Sequence, residues 1–243
     1  MLSKSEIKDI QSLRHKKSRE ETGLFIAEGP KITGELLRSV PQQVKKIYGL
    51  ENWVEENKQL LANADFEIIS EKELERLSQL QTPNEVLSVF YQFESNEPAA
   101  SKGIILYLDS IQDPGNFGTI VRIADWFRIS HIVCSEGSAD FYNTKVIQAS
   151  MGSIARVNVF YDRELQWLKN QSLTKYAASL NGKSVYKVET IQNGILVIGN
   201  ESKGIQRGIM EMIDEAITIP KRGAAESLNA AVATGIILSH LTK

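Results

Sequence analysis

The sequence predicts an α/β fold in two domains, and three observations carry that prediction. Short apolar runs typical of strands alternate with helix-like amphipathic stretches along nearly the whole chain. A polar segment at residues 96–102 interrupts this alternation, so we expect a linker there between domains at residues 1–95 and 103–243. In the second half the strand candidates are continuous apolar runs, which is typical of a parallel sheet buried on both faces.

The N-terminal domain is expected to be a small α/β unit. Ser3–Glu6 and Ser70–Glu73 both have the spacing of a capping box, which predicts that a helix begins at each. Further helical stretches should follow Pro30 and cover Trp53–Leu61. The predicted strands are Leu24–Ala27, Val44–Tyr48, Phe66–Ile69 and Val86–Tyr91.

The C-terminal domain should contain a mostly parallel sheet with helices on both faces. Its strand candidates are Ile104–Leu108, His131–Cys134, Val157–Phe160, Tyr176–Leu180, Ile195–Ile198 and Ala216–Ile219. Its predicted helices are Phe117–Phe127, Asn143–Gly152 and Ser227–Leu241. In sheets of this kind ligands bind beyond the carboxyl ends of the strands, so the loops at those ends are where we look for a site.

Composition narrows the functional classes. The chain has 243 residues, 42% of them hydrophobic, and a formal net charge of −2, which argues mildly against a protein that coats nucleic acid non-specifically. No apolar run approaches the roughly 20 residues of a membrane span, and the N-terminus lacks a signal peptide, so we expect a cytoplasmic protein without a membrane partner. The single cysteine and three widely spaced histidines lack metal-ligand spacing, so no metal is expected.

Three loop segments carry the residue types that could form a site. Asp113–Arg122 follows a buried strand and opens a helix, which Asn116 could cap. Gly199–Gly204 follows another buried strand, and its first glycine would let a ligand touch the backbone. Ile219–Asn229 is a loop rich in small residues before a helix, whose free amides could cradle a polar ligand. Taken singly, each is equally well an ordinary capped helix start or loop.

Taken together, the three segments resemble a known family. N-F-G-T-I-V-R, I-G-N-E-S-K-G and I-P-x5-E-S-L-N agree in order and spacing with the three motifs of the SpoU (TrmH-type) RNA 2′-O-ribose methyltransferases of the SPOUT superfamily. Gln81–Pro83 and Asn143–Gly152 also resemble family stretches. The resemblance implies a C-terminal SPOUT domain with a deep trefoil knot, and a ribosomal-protein-like N-terminal domain that binds RNA. It also implies S-adenosylmethionine as methyl donor, and a homodimer in which both subunits build the site.

Residue roles follow from motif position. As cofactor-binding residues the resemblance implies Gly199, Asn200, Ile219, Leu228 and Ser227. As catalytic residues it implies Arg122, Asn116, Glu201, Ser227 and Asn229. Arg122 matches the motif arginine that is often considered the base, but a guanidinium holds its proton too tightly for that role in water. We expect it instead to bind the phosphate beside the target ribose and to stabilise the developing alkoxide.

RNA contacts are expected from the strongest basic cluster of the chain. That cluster supplies Arg14, Lys16, Lys17 and Arg19, and Lys145 is a further candidate in the second half. A solvated surface face would look the same in the sequence. Because a separate ribosomal-protein-like domain suits a structured target, rRNA is favoured over tRNA, by analogy.

Several alternatives remain open. Ala177–Ser184 loosely matches a nucleotide phosphate loop, but a strand rather than the required helix is expected after its lysine. A tRNA 2′-O-methyltransferase, methylation of a base nitrogen, and a non-catalytic RNA-binding homologue are the other candidates. Intact Asn116, Arg122 and Glu201 argue against the last of these.

Overall fold

The computed structural model describes residues 2–99 and 103–242, which divide into two compact units. The first unit comprises Met1–Glu94 and Tyr142–Ala155, and the second comprises Ser95–Phe141 and Arg156–Lys243. A single predicted linker therefore does not describe the division, because Tyr142–Ala155 returns to the first unit. Part of the predicted linker, residues 100–102, lies outside the described residues.

Strands and helices alternate along most of the described chain. The strands are β1 Leu24–Glu28, β2 Val44–Gly49, β3 Phe66–Ile68, β4 Val86–Tyr91, β5 Gly103–Leu108, β6 His131–Ser135, β7 Asn158–Asp162, β8 Lys175–Ser184, β9 Asn193–Ile198 and β10 Glu215–Thr218. The helices are α1 Lys4–Ser12, α2 Lys16–Thr22, α3 Pro30–Ser39, α4 Glu51–Glu56, α5 Glu71–Leu77, α6 Pro114–Trp126, α7 Thr144–Ser150, α8 Gln166–Lys169, α9 Arg207–Met210 and α10 Ala230–Leu241.

The first unit contains a mixed four-stranded sheet of order β1-β4-β2-β3, in which only β2 and β3 are parallel. Its helix starts follow the predicted capping chemistry. Ser70 and Glu73 form a complete capping box at α5. At α1 the Ser3 side chain accepts from Glu6 N, but the Glu6 carboxylate binds Lys46 Nζ at 2.8 Å instead of closing the box.

The second unit contains a six-stranded sheet of order β10-β8-β9-β5-β6-β7, and every neighbouring pair is parallel. Fully buried apolar side chains such as Tyr107, Val133 and Val197 form its core, as the continuous apolar runs predicted. From β5 the chain proceeds to β6 and β7 on one side, whereas β9 flanks β5 on the other. The loops after β5 and β9 therefore meet at the point where strand order reverses, which is where ligands bind in such sheets.

The pairing of β8 with β10 contains a large irregularity. Ala216 pairs with Ala177, yet the next residue, Ile217, pairs with Lys183, so residues 178–182 are looped out of the ladder. A Cβ added to Gly182 would lie 2.4 Å from Ala216 O, so only glycine permits this close backbone approach. The trefoil knot implied by the resemblance stays a prediction.

Two helix starts differ from the predictions. The N-cap of α6 is Asp113, whose side chain accepts from Asn116 N, so Asn116 does not cap the helix and its own side chain is available. The last helix begins at Ala230 rather than Ser227, because Asn229 is its N-cap.

Ser95, which precedes the predicted linker, and Pro98 within the linker are both hydrogen-bonded inside the second unit. Ser95 Oγ donates to Val159 O at 2.8 Å, and Trp167 Nε1 donates to Pro98 O at 2.9 Å. No helix in the described ranges combines the length and apolarity needed to cross a membrane.

Candidate functional site

A chain of two side-chain hydrogen bonds joins the three predicted segments. Asn229 Nδ2, in the loop before α10, donates to Asn116 Oδ1 on α6 at 2.7 Å. Asn116 Nδ2 in turn donates to Glu201 Oε1, in the loop after β9, at 2.5 Å. Three residues separated by up to 113 positions thus lie in direct contact, as expected of a single site. We call Asn229, Asn116 and Glu201 the amide relay.

The direction of the amide relay is determined by the helix cap. Asn229 Oδ1 accepts from Ala231 N at 3.0 Å and from Val232 N at 3.2 Å. Since that oxygen is committed to the helix, only the NH2 group of Asn229 can face Asn116. Asn116 must therefore present its oxygen to Asn229 and its NH2 group to the Glu201 carboxylate. The cap of α10 thereby sets the orientation of a polar group on α6.

The loop after β9 is held closed by Asn200. Its backbone N–H and C=O pair with those of Gly204 at 3.0 and 2.9 Å. Its side-chain oxygen accepts from Ser202 N and Lys203 N, and its Nδ2 donates to Ser110 O at 2.9 Å. The side chain of Asn200 is therefore used to shape the loop that presents Glu201.

Gly199 is required by the protein backbone itself. A Cβ at this position would lie 2.5 Å from Gly204 C and 2.6 Å from Ile205 N. The sequence suggested that this glycine lets a ligand approach. The structure shows that it lets the end of its own loop pack against it, and it also lines a cavity.

A cavity of about 650 Å³, here called the main cavity, opens beside the amide relay. All five residues expected to bind the cofactor line it: Gly199, Asn200, Ile219, Ser227 and Leu228. Glu201 lines it too, and buried Ile198 and Ile217 give it an apolar wall. Its volume and its mixture of apolar wall and few polar groups are typical of small-molecule sites.

A second cavity of about 520 Å³ lies at the carboxyl ends of β5, β6 and β7 and shares Asn200, Lys203 and Gly204 with the main cavity. Beside it, buried Asp109 accepts from Gln206 N and Nε2 at 2.6 and 2.5 Å. Buried Asp162 accepts from the backbone of Trp167 at 2.8 Å. Because both carboxylates are hydrogen-bonded, they stabilise the surrounding loops.

Arg122 is not brought into the amide relay within one chain. It is exposed on α6 and lines neither cavity, and its side chain forms no hydrogen bond or ion pair within the described residues. Trp126, one turn further along the same face, is 83% exposed. This part of the predicted site thus projects from α6 into solvent.

The structure does not support Arg19 as an RNA contact. Its side chain is 4% exposed, and its Nη1 donates to Leu13 O at 2.8 Å and to Arg14 O at 3.0 Å. The guanidinium therefore binds carbonyls at the end of α1 instead of facing solvent. Nothing in the local sequence distinguishes this buried arginine from its exposed basic neighbours.

The other predicted RNA contacts remain at the surface of the first unit. Lys16 and Lys17 are exposed, but each forms an i,i+4 ion pair with a glutamate of α2, at 3.6 and 3.8 Å. Arg14 is exposed, although its Nε donates to Gln11 O at 2.9 Å. Lys145 is exposed on α7, which belongs to the first unit rather than to the second as the sequence suggested.

Sequence reasoning missed three cations on the edge of the main cavity. Lys203, Lys221 and Arg222 line it and are exposed. The adjacent Lys-Arg pair inside the third segment was the available signal. Among the described residues no group of His, Cys, Asp and Glu side chains is placed to hold a metal ion.

Comparison with known proteins agrees with this geometry. Residues 103–239 match the family model described as the SpoU rRNA Methylase family. This range includes all three residues of the amide relay. The chain belongs to this family. It is accordingly an RNA methyltransferase. Residues 4–88 match a second model, the MRM3-like substrate binding domain.

Similar proteins match along both units. The Bacillus subtilis (strain 168) 23S rRNA (guanosine(2553)-2′-O)-methyltransferase RlmP is 30% identical over 97% of this chain and 95% of its own. A TrmH-family protein from Porphyromonas gingivalis has a TM-score of 0.85 at 36% identity, covering 99% and 98% of the two chains. An AdoMet-bound rRNA methyltransferase from Sinorhizobium meliloti has a TM-score of 0.85 at 26% identity, with 99% and 96% coverage.

One similar structure matches only part of the chain. The TrmH/SpoU tRNA modifying enzyme of A. aeolicus has a TM-score of 0.51 at 28% identity, and covers 58% of this chain and 75% of its own. The likeness to the rRNA enzymes therefore extends over much more of the molecule.

Proposed function

We propose that this protein methylates the ribose 2′-hydroxyl of a nucleotide in rRNA. The observation that carries the proposal is the amide relay, which joins residues of all three family motifs and includes Glu201 in the wall of the main cavity. One similar protein that matches along both units is named as a 23S rRNA guanosine 2′-O-methyltransferase. A tRNA target is the second candidate, because the A. aeolicus enzyme named for tRNA is similar in structure to 58% of this chain.

The main cavity fits S-adenosylmethionine on two grounds. Its volume of about 650 Å³ lies within the usual range of ligand pockets, and its buried isoleucine wall suits the apolar part of a nucleoside. Ser227 and Leu228 are exposed residues of the loop before α10, and their backbone groups could bind polar atoms of the ligand. When bound, the cofactor supplies a methyl group on a sulfonium leaving group. Gly199, Asn200, Ile219, Ser227 and Leu228 would hold it in position.

The protein's own contribution to the reaction is alignment and charge stabilisation. Correct positioning of two reactants can lower a barrier by about 7–11 kcal/mol. Because Glu201 accepts from Asn116, its remaining carboxylate lone pairs can accept a hydrogen bond from the target ribose. Asn229 acts through Asn116 and is a positioning residue, while Ser227 borders the same space.

Arg122 is proposed to act in a homodimer. It lies exposed on α6 next to Trp126, and α6 packs against α10, where Val232 is 51% exposed. Large apolar side chains on a helix pair favour burial by a second copy of the chain. In such a dimer, Arg122 of one subunit would lie in the site of the other subunit. There its guanidinium could bind an RNA phosphate and stabilise the developing alkoxide of the target ribose.

The first unit is proposed to bind RNA, which is supported by its match to a substrate-binding domain model. The exposed residues Arg14, Lys16, Lys17 and Lys145 are candidates for phosphate contacts, whereas Arg19 is buried. Since its substrate would be rRNA, we place the protein in the cytoplasm.

The proposed reaction is tested by mapping ribose methylation in rRNA from cells with and without the gene. We expect one rRNA position to lose its 2′-O-methyl group in the deletion strain, and to regain it when purified protein and radiolabelled S-adenosylmethionine are added. Label in tRNA but not rRNA would favour the second candidate. Label in no RNA would favour a non-catalytic homologue, and label on a base nitrogen would contradict ribose chemistry.

The role of Arg122 is tested with Arg122→Lys. Lysine keeps the positive charge but loses the planar fork that binds phosphate through two N–H groups. We expect a large loss of kcat with unchanged cofactor affinity, measured by methyl transfer and calorimetry. Near-normal turnover would show that a bidentate clamp is not needed.

A further inference from the structure

We propose that Lys203, Lys221 and Arg222 form an anion-binding rim that holds RNA phosphates next to the target ribose. The proposal rests on the proposed function, because it assigns the RNA backbone a place at the same site. All three residues are exposed and line the main cavity. They come from two separate loops, one after β9 and one after β10.

The three cations are available for a ligand. None of their three charged side chains forms an ion pair or a hydrogen bond among residues 2–99 and 103–242. Lys16 and Lys17 in the first unit each face a glutamate of their own helix, so part of their charge is already compensated. Glu201, the nearest acidic residue along the chain to Lys203, accepts from Asn116.

The position of the rim agrees with the chemistry of the substrate. A ribose 2′-hydroxyl lies beside the 3′-phosphate of its own nucleotide, so an enzyme that places this oxygen at the cavity must also accept that phosphate. The whole chain has a net charge of −2 and gives no general attraction to RNA. The attraction to RNA phosphates must therefore come from local groups of cations. Arg222 can bind a phosphate through two N–H groups, whereas the lysines act as point charges.

The rim is a property of this chain rather than of the motif. In the pattern I-P-x5-E-S-L-N the five unspecified positions are 221–225, and Lys221 and Arg222 occupy the first two. The methyl donor also carries a carboxylate that these cations could bind. That carboxylate is the competing source of negative charge, and the experiment separates the two.

The test compares Lys221→Gln/Arg222→Gln with Lys187→Gln. Glutamine removes the charge and keeps a polar side chain. Lys187 is also an exposed cation of the second unit and lines neither cavity, so it controls for the loss of a surface positive charge away from the rim. Binding of a fluorescein-labelled RNA stem-loop is measured across a salt series, since phosphate contacts do not depend on sequence. Cofactor affinity is measured on the same proteins by calorimetry.

Each phosphate contact contributes about 0.7–0.9 to the slope of log Kd against log salt, so the double variant should lose about 1.5 from that slope. Lys203→Gln should remove a further contact, the Lys187→Gln slope should stay unchanged, and cofactor Kd should stay within twofold. An unchanged slope in the double variant overturns the rim. Weakened cofactor binding with an unchanged slope assigns these cations to the donor carboxylate and also overturns it. If the unsubstituted protein does not bind the cofactor at all, that result contradicts the proposed function and not the rim.

Discussion

Replacing Asn229 by aspartate would break the amide relay without removing the cap of α10. Aspartate caps helices as well as asparagine does, and its charge is favourable at a helix N-terminus. It has no N–H group, so it would turn an acceptor toward Asn116 Oδ1, at the 2.7 Å now occupied by a hydrogen bond. Asn116 can escape by rotating its amide, but its oxygen would then face the Glu201 carboxylate.

The size of the effect follows from the hydrogen bond lost. A net hydrogen bond contributes about 0.5–1.5 kcal/mol, and an acceptor left without a donor costs about 1–3 kcal/mol. Because Asn229 is exposed, water can compensate in part, so we take about 1–2 kcal/mol. If the whole of this free energy is lost from transition-state stabilisation, kcat/KM should fall about 5- to 30-fold.

The assay pairs Asn229→Asp with Asn229→Ala. Alanine loses the cap, which lowers helix stability by about 0.5–2 kcal/mol, but it leaves Asn116 free to keep its bond to Glu201. Aspartate should therefore have the higher Tm and the lower methyl-transfer rate of the two. If Asn229→Asp keeps kcat/KM within twofold of the unsubstituted protein at an unchanged Tm, the relay does not position the site.

Two further predictions concern backbone packing and a buried carboxylate. Gly199→Ala should abolish cofactor binding, because the new Cβ would overlap the backbone of Gly204 and Ile205. Gly223→Ala is the control and should bind the cofactor normally, since a Cβ there has no atom within 4 Å. Equal cofactor affinity of the two variants in calorimetry would contradict this prediction. Burial raises the pKa of Glu28, so its favourable contribution is complete at low pH and is lost as pH rises through the raised value. Glu28→Gln, whose side chain does not titrate, should therefore lose less Tm than the unsubstituted protein when the pH is raised from 4 to 8, and an equal loss in both proteins would refute the prediction.

Much of the secondary structure could be predicted because it depends on short-range patterns. Val86–Tyr91 was predicted with the observed bounds, and the capping box at Ser70 forms as expected. The cap of α6 was assigned to Asn116 instead of Asp113, since both residues can cap and only the backbone geometry distinguishes them.

Burial of polar residues could not be predicted from local sequence. Arg19 has the same composition around it as Lys16 and Lys17, but only its side chain turns inward to the carbonyls that end α1.

The unit to which α7 belongs could not be predicted either. In the sequence α7 lies between strands of the second unit, but it contacts β1 and belongs to the first unit. The burial of Arg19 depends on the path of the backbone at the end of α1, and the placement of α7 depends on its contact with a strand distant in the chain.

The sequence by itself determined the α/β class, the strand positions and the three motifs, because periodicity and motif spacing are properties of neighbouring residues. Only the tertiary structure decided how those motifs act together. The direction of the amide relay depends on one oxygen of Asn229 being committed to two backbone amides of α10. That constraint passes across 113 positions to Asn116 and on to Glu201, so it exists only once the fold has brought the three loops together.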